Sequence, residues 1–187
     1  WFGRTHVLPI NEILCSTNIN DVLRRCIDKG VLEPLVTQPS VAPSMDIQIP
    51  SSLERLIFDV SSETNSFYDQ LQTNSKARLD EKGVDGLKNV FSSVTFSDEM
   101  ITTLITSLND EFAIIFDPHS VTSVQMALDN DSSLPTVAVA TASPEKFGNV
   151  ISPLIKDFTE TKIEEKEQYL TLSTENAEII EAIKAFI

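Results

Sequence analysis

Three short apolar runs, each cut off by a polar corner and followed by a helical pattern, constrain this chain more than any other feature. "INEILCSTN" (10–18) reads as a strand centred on Ile13, Leu14 and Cys15. "FAIIF" (112–116) and "TVAVA" (136–140) read as fully buried strands, being apolar on both sides of the pleat. Behind the first run, "NDVLRRCIDKG" predicts a helix capped by Asn20, with Val22, Leu23, Cys26 and Ile27 as its apolar stripe and Gly30 closing it in the left-handed conformation. Behind the second, "DPHSVTSVQMALDN" predicts a helix with Asp117 as cap, Pro118 at the first helical position, and Val121, Val124 and Leu128 facing inward. Behind the third, the chain turns at Thr-Ala-Ser-Pro into a short helix-like segment. Apolar strands that alternate with helices indicate an α/β fold whose parallel sheet is flanked by helices. Ligands in such folds bind beyond the carboxyl ends of the strands, which puts Asn18, Asp117 and Thr141 on one rim.

The intervening sequence divides the chain. "EPLVTQPSVAPSMDIQIP" (33–50) is a proline-punctuated connector. "SSLERLIFDV" (51–60) predicts a helix, with Ser51 and Glu54 at capping-box spacing and Leu53, Leu56, Ile57 and Val60 on one face. From 61 to 109 the composition turns to Ser, Asn, Asp and Lys, with amphipathic pieces at 66–80 and 97–108. In the second of these, Ile101, Leu104, Ile105 and Leu108 share a face. The expected organisation is an α/β domain over 1–60, a small helical subdomain over 61–109, a return to the α/β domain over 110–155, and an acidic helical tail over 156–187. Within the tail, "STENAEIIEAIKAFI" predicts a helix capped by Ser173.

A net charge of −14 argues against nucleic acid or an anionic membrane as partner. No apolar run approaches the roughly 20 residues of a membrane span. Two cysteines, Cys15 and Cys26, fit a reducing compartment, and a cytoplasmic location is expected. A chain that opens on Trp1 instead of Met is expected to be a fragment or a processed product.

Composition and spacing supply no self-sufficient catalytic constellation. His6 and His119, the only histidines, have no Cys or carboxylate at metal-ligand spacing, so no metal is expected. There is no G-x-S-x-G elbow, P-loop or G-x-G-x-x-G, and five glycines leave no glycine-rich phosphate cradle. Lys146 lies nearest the rim and reads as a solvated surface lysine.

Four stretches, in order, resemble the C-terminal half of the threonine synthase family, pyridoxal-phosphate (PLP) enzymes of fold type II with the tryptophan synthase beta-like architecture. "LPINEILCSTNINDVLRRCIDKG" is similar to the family's Leu-Pro-Ile turn, strand, Asn-x-Asn-Asp pattern and helix. "APSMDIQIPSSLERLIFDV" resembles S-P-[SA]-M-D-I-x-x-P-S-N-x-E-R, "SDEMITTLITSLNDEFAIIFDPHSVTSV" the approach to D-P-H-[TS]-A-x-[GA], and "VAVATASPEKF" the A-T-A-H-P-x-K-F element. The resemblance implies that the Thr141 hydroxyl meets the pyridine nitrogen of PLP, with Ala142 and Ser143 completing the corner and Asn18 facing the cofactor. Asp117 and His119 match the Asp-Pro-His element and read as a cap and a first-turn residue of a core helix rather than as catalytic groups, and the resemblance implies a supporting turn at Ser44, Met45 and Asp46. Glu54 and Arg55 match the family's Glu-Arg pair. Several positions depart from the pattern: Ser143 stands where His is usual, Glu145 where a small residue is common, Ser52 and Leu53 for Asn and Phe, and Ser123 for Gly or Ala. The family's Schiff-base lysine, in an S-x-K-D context, and its Gly-Asn-Phe-Gly phosphate loop have no counterpart in these 187 residues. No catalytic residue is therefore expected in this chain, which by itself is expected to be inactive and to need the N-terminal half of the protein as partner. The implied reaction converts O-phosphohomoserine, a small phosphorylated amino acid, and water to threonine and phosphate. The alternatives are a threonine synthase-like phospholyase that yields a keto acid, and a non-catalytic stand-alone interaction protein.

Overall fold

In a computed structural model, the structure describes Arg4 and residues 8–159. His6 and the helix expected behind Ser173 lie outside the described residues, as does most of the acidic tail. Strand β1 (Ile13–Thr17) leads through a tight turn into helix α1 (Val22–Lys29), which buries Val22, Cys26 and Ile27 and half-buries Leu23. Gly30 ends α1 at φ 65°, and a Cβ there would stand 2.4 Å from the Val84 Cγ2, so backbone and packing both require glycine. A short strand β2 (Val31–Leu32), the irregular connector and a 3₁₀ turn (Pro43–Met45) follow. Next come helices α2 (Leu53–Val60) and α3 (Thr64–Asn74), strand β3 (Ala77–Arg78), helix α4 (Glu81–Lys88) and strand β4 (Phe91–Thr95). Helix α5 (Asp98–Phe112), helix α6 (Ser120–Leu128), a second 3₁₀ turn (Pro144–Phe147) and the one-turn helix α7 (Gly148–Ile151) complete the described chain. None of the described helices is long and apolar enough to cross a membrane.

The parallel sheet is the ladder between β1 and β4, in register from Ile13 opposite Phe91 to Thr17 opposite Thr95. It carries a strand into the 61–109 span that the sequence reading left helical. The serines of "FSSVT" hide the strand, and the structure answers each of them: Ser92 donates to Glu12, and Ser93 donates to Asp28 of α1 at 2.6 Å. Helix α4, unforeseen as well, is capped by Asp80, whose carboxylate accepts from the Gly83 N–H at 2.9 Å. β2 and β3 pair antiparallel at Val31–Arg78 and Leu32–Ala77.

Two apolar clusters result. One joins Val22 and Cys26 of α1 to Leu53, Ile57 and Val60 of α2, Phe67 of α3 and Leu87 of α4. The other joins Ile101, Ile105 and Leu108 of α5 to Val121 of α6, Phe96 and Ile151. At about 25 cal/mol for each Å² of apolar surface removed from water, such clusters dominate the stabilisation of the fold.

Several local expectations are corrected. Asn20 does not cap α1. Asp21 stands at that position, and the Asn20 amide is taken up by the connector instead. The Ser51–Glu54 capping box does not form, because the helix begins one residue later than that spacing requires, with Ser52 at the cap position and no side chain capping it. "FAIIF" is not a strand: α5 runs through Phe112 and stops only at Ala113, in the left-handed conformation at φ 53°, and the three residues left before Asp117 pair with no strand among the described residues. "TVAVA" is extended but neither buried nor paired among the described residues, with Val137 84% and Val139 65% exposed. Leu128 is exposed because α6 packs through Val121, Thr122 and Met126 and its last residue overhangs the core.

Candidate functional site

Beyond the carboxyl end of β1 the chain must turn without a ladder to satisfy its polar groups, and a buried side-chain cluster takes over that task. Asn18 is fully buried. Its Nδ2 donates to Asp46 Oδ1 at 2.6 Å, to Ser40 Oγ at 2.7 Å and to the Ala42 carbonyl at 3.3 Å, while its Oδ1 accepts from the Asn20 N–H at 3.0 Å. Asn20 donates to Asp46 Oδ1 at 2.9 Å and to the Gln38 carbonyl at 2.8 Å, and its own oxygen accepts from the Gln38 N–H at 2.9 Å. The Ser40 N–H and hydroxyl also reach Asp46, at 3.0 and 2.7 Å. Asp46 thus gathers four donors and folds residues 38–46 over the end of β1. A carboxylate that is hydrogen-bonded on both oxygens escapes most of the penalty of leaving water.

A second cluster opens α6. Asp117 is fully buried. Its Oδ1 accepts from the His119 N–H and from His119 Nδ1, both at 2.9 Å, and its Oδ2 accepts from the Ser120 hydroxyl. The side chain of Asp117 therefore caps the helix, as expected, although the first helical residue is Ser120 and Pro118 lies in the preceding turn. His119 joins the two clusters, because the Ser44 N–H donates to its Nε2 at 3.0 Å. A backbone N–H can only donate, so Nε2 carries no proton and Nδ1 donates to Asp117. Thr122 fastens the same turn to the sheet, donating to the His119 carbonyl and sharing a hydrogen bond with Ser16 of β1, each at 2.8 Å.

The Thr141 corner is held from α6. The Thr141 N–H donates to Ser120 Oγ at 3.0 Å, and Ser123, at a position where the resemblance implies Gly or Ala, shares its hydroxyl between the Ser120 carbonyl at 2.8 Å and the Val139 carbonyl at 3.2 Å. At the far end of the corner the Phe147 ring rests on the His119 imidazole, with centroids 4.7 Å apart. The Thr141 side chain is exposed, and its hydroxyl makes no hydrogen bond among the described residues. Ala142 is half-buried, and Ser143 is exposed, its hydroxyl donating to Glu145 at 3.3 Å.

The residues expected on one rim are thus connected through Ser44, His119, Asp117 and Ser120. Asn18 departs from its expected role: its amide is spent inside the connector and does not open to the rim. Ser40, Ser120 and Phe147 were missed by sequence reasoning. Two are serines among many, and only the Asp-Pro-His-Ser stretch could have drawn attention to Ser120. Neither cysteine is poised as a nucleophile, since burial pushes the Cys15 thiol up to about 11 and that of Cys26 to about 12. No metal-binding group of His, Cys, Asp or Glu exists among the described residues.

No protein-family model matches the chain. It is 28% identical to the threonine synthase of Saccharomyces cerevisiae over 201 residues, which is 93% of this chain and 39% of that protein. It is 29% identical to threonine synthase-like 2 of Rattus norvegicus over 154 residues, 77% of this chain and 32% of that protein. The solved structure of PLP-bound threonine synthase from Brucella melitensis superimposes with a TM-score of 0.78 at 26% identity, over 95% of this chain and 41% of that one. The resemblance to the threonine synthases, and with it the α/β fold of type II, therefore extends over most of the chain, which spans about a third to two-fifths of the length of the relatives it matches.

Proposed function

From a chain that resembles the threonine synthases over 93% of its length, we propose that these residues form the pyridine-nitrogen side of a threonine synthase-type PLP site. The observation that carries this reading is Thr141. Its main chain is anchored on Ser120, while its hydroxyl is exposed and free of hydrogen bonds among the described residues. That arrangement fits the ring nitrogen of PLP, which accepts or donates a single hydrogen bond. When bound, PLP supplies an electron sink for reactions at the amino-acid substrate. A neutral hydroxyl does not hold a proton on the ring nitrogen as a carboxylate would, so Thr141 orients the ring and moderates its pull. Ala142 and Ser143 lie along the same edge. Asn18 acts through Asp46 by fixing the connector and not by touching the ring. The S-x-K-D lysine and the Gly-Asn-Phe-Gly loop are not in these 187 residues, so this segment completes the site only together with the portion that carries them. That portion covers Val137 and Val139 as the next strand of the sheet, which accounts for a β-branched run left open to water.

The reaction is conversion of O-phosphohomoserine and water to threonine and phosphate. The test is phosphate release and threonine formation by the protein carrying this chain, compared with its Thr141→Ser and Thr141→Val variants. Ser should retain most of the turnover, and Val should lose roughly tenfold or more, the scale of one hydrogen bond lost at a reacting group. Equal turnover by Val and wild type would sink the assignment of Thr141. A second reading, a phospholyase releasing a keto acid, is favoured by Ser143, which stands where the family pattern has His and donates to Glu145. Keto acid in place of threonine in the same assay would establish it.

A further inference from the structure

The Asp117–His119–Ser120 cluster does more than cap a helix, because it touches both loops that border the proposed ring site. Ser44, in the 3₁₀ turn that closes the connector, donates to His119 Nε2 at 3.0 Å. On the other side, Ser120 Oγ accepts the Thr141 N–H at 3.0 Å while donating its own proton to Asp117. Asp117 receives the remaining His119 proton on Nδ1 at 2.9 Å. The Ser44 and Thr141 N–H groups can only donate and the Asp117 carboxylate can only accept, so the directions at His119 and Ser120 between them are set. The ends of the chain are exposed loops, and its interior is buried: Asp117, Ser120 and His119 are 0%, 1% and 8% exposed. Ring contact of Phe147 with His119 closes the Thr141–Phe147 corner onto the same imidazole.

We propose that Asp117, His119 and Ser120 form a positioning unit in which one tautomer of His119, with its proton on Nδ1, sets the Pro43–Met45 turn and the main chain of Thr141 relative to each other. Its purpose rests on the reading of Thr141 as the partner of the ring nitrogen, but its geometry does not. The opposite tautomer would point an N–H at the Ser44 N–H and a bare nitrogen at the Asp117 carboxylate. Both arms would then become repulsive. The proton on Nδ1 therefore suits both arms of His119 at once, while each loop is tied to the unit through its own hydrogen bond.

Two measurements test it. In protein labelled with ¹⁵N at histidine, the His119 imidazole is identified as the signal lost in His119→Asn, and its one-bond N–H coupling reports the tautomer. A proton on Nδ1 and a bare Nε2 at neutral pH are expected. A proton on Nε2, or fast averaging between the two nitrogens, overturns the proposal without recourse to any variant that fails to fold. Amide hydrogen exchange then separates the arms. Ser120→Ala should speed exchange of the Thr141 amide roughly tenfold, the scale of one net hydrogen bond, and leave Ser44 unchanged. His119→Asn keeps a donor toward Asp117 but withdraws the acceptor of Ser44, so it should speed Ser44 by a similar factor and leave Thr141 unchanged. His119→Phe removes both functions and should release both amides. If Ser120→Ala leaves Thr141 exchange unaltered, the link to the corner does not exist and the unit is only a helix cap. The tautomer and exchange results stand whatever Thr141→Val does to turnover, so failure of the unit and failure of the ring assignment are read separately.

Discussion

The β1–β4 ladder and the run at 136–140 have comparable strand-forming sequences and opposite fates. "FSSVT" holds two serines, yet it forms five register pairs with β1. "TVAVA" is β-branched and apolar, yet it stands extended with its valines in water. A strand is a property of a pair. β4 has β1 beside it and side chains from Glu12 and α1 to answer its serines, whereas the valines of 136–140 meet α6 through one hydrogen bond, from the Ser123 hydroxyl to the Val139 carbonyl. Apolarity marks a segment that wants a partner; it does not supply one.

The comparison can be broken most forcefully through thiol chemistry. Cys15 lies in the ladder, and burial pushes its thiol up to about 11. Its thiolate fraction at pH 8 is roughly two orders of magnitude below that of an ordinary thiol. In this chain alone, iodoacetamide should therefore spare Cys15 and Cys26 until it unfolds, while a Val139→Cys variant should label at the rate of a free thiol. Protection of residue 139 would mean that a partner covers the run. Next in size is core truncation. Leu87→Ala or Ile105→Ala, both at fully buried positions, should each cost about 2–5 kcal/mol, and Val139→Ala less than about 0.5 kcal/mol, by the shift in urea midpoint. Equal losses at both places would erase the distinction between paired and unpaired segments. The corners that follow the two segments differ in the same sense. Asp46→Ala strips the fully buried Asn18 of its shortest hydrogen bond and should cost about 1–3 kcal/mol, whereas Ser123→Ala, which removes a half-buried hydroxyl shared between the Ser120 and Val139 carbonyls, should cost less, about 0.5 kcal/mol.

The smallest effect belongs to the surface of α1, where Arg24 bridges Asp21 and Asp28 at 2.9 Å each. Arg24→Ala should cost about 0.2–1 kcal/mol and less in high salt. Burial pushes the Asp21 carboxyl up, but Arg25 and Arg24 outweigh it and hold it below the usual carboxylate range. With the folded value depressed, the stabilisation is complete above the unfolded value and is lost as pH falls through the folded one. In Arg24→Ala the acid limb of the stability curve should therefore flatten.

Helices were legible wherever a 3.6-residue stripe coincided with a local stop signal. Val22, Cys26 and Ile27 with Gly30, and Ile101, Ile105 and Leu108, needed no distant partner to be read. Caps were less legible because a polar side chain has several suitors. Asn20 looks like a cap until Asp46, 26 residues on, takes its amide, and Ser51 looks like one until the helix starts a residue later, with Ser52 at the cap position. The candidate site was half legible. Asn18, Asp117 and Thr141 were identified as residues that follow apolar runs, but the bonds that join them run through Ser44, His119 and Ser120 across 75 and 21 residues of sequence. Hydroxyls and backbone N–H groups carry no periodic signal that would reveal such pairing.

The sheet has a consequence for the order in which the molecule assembles. Thr17 and Thr95 touch although 78 residues separate them, so closing the ladder restricts a long loop and recovers little until the helices between the two strands are packed. Formation of α1, its glycine stop and the cluster with α2 and α4 shortens that search by bringing the two strands near each other beforehand. Truncating Ile57 or Leu87 in that cluster is therefore expected to slow refolding, and Thr17→Val or Thr95→Val to speed unfolding, as read from the two limbs of a denaturant-dependence plot of the rates.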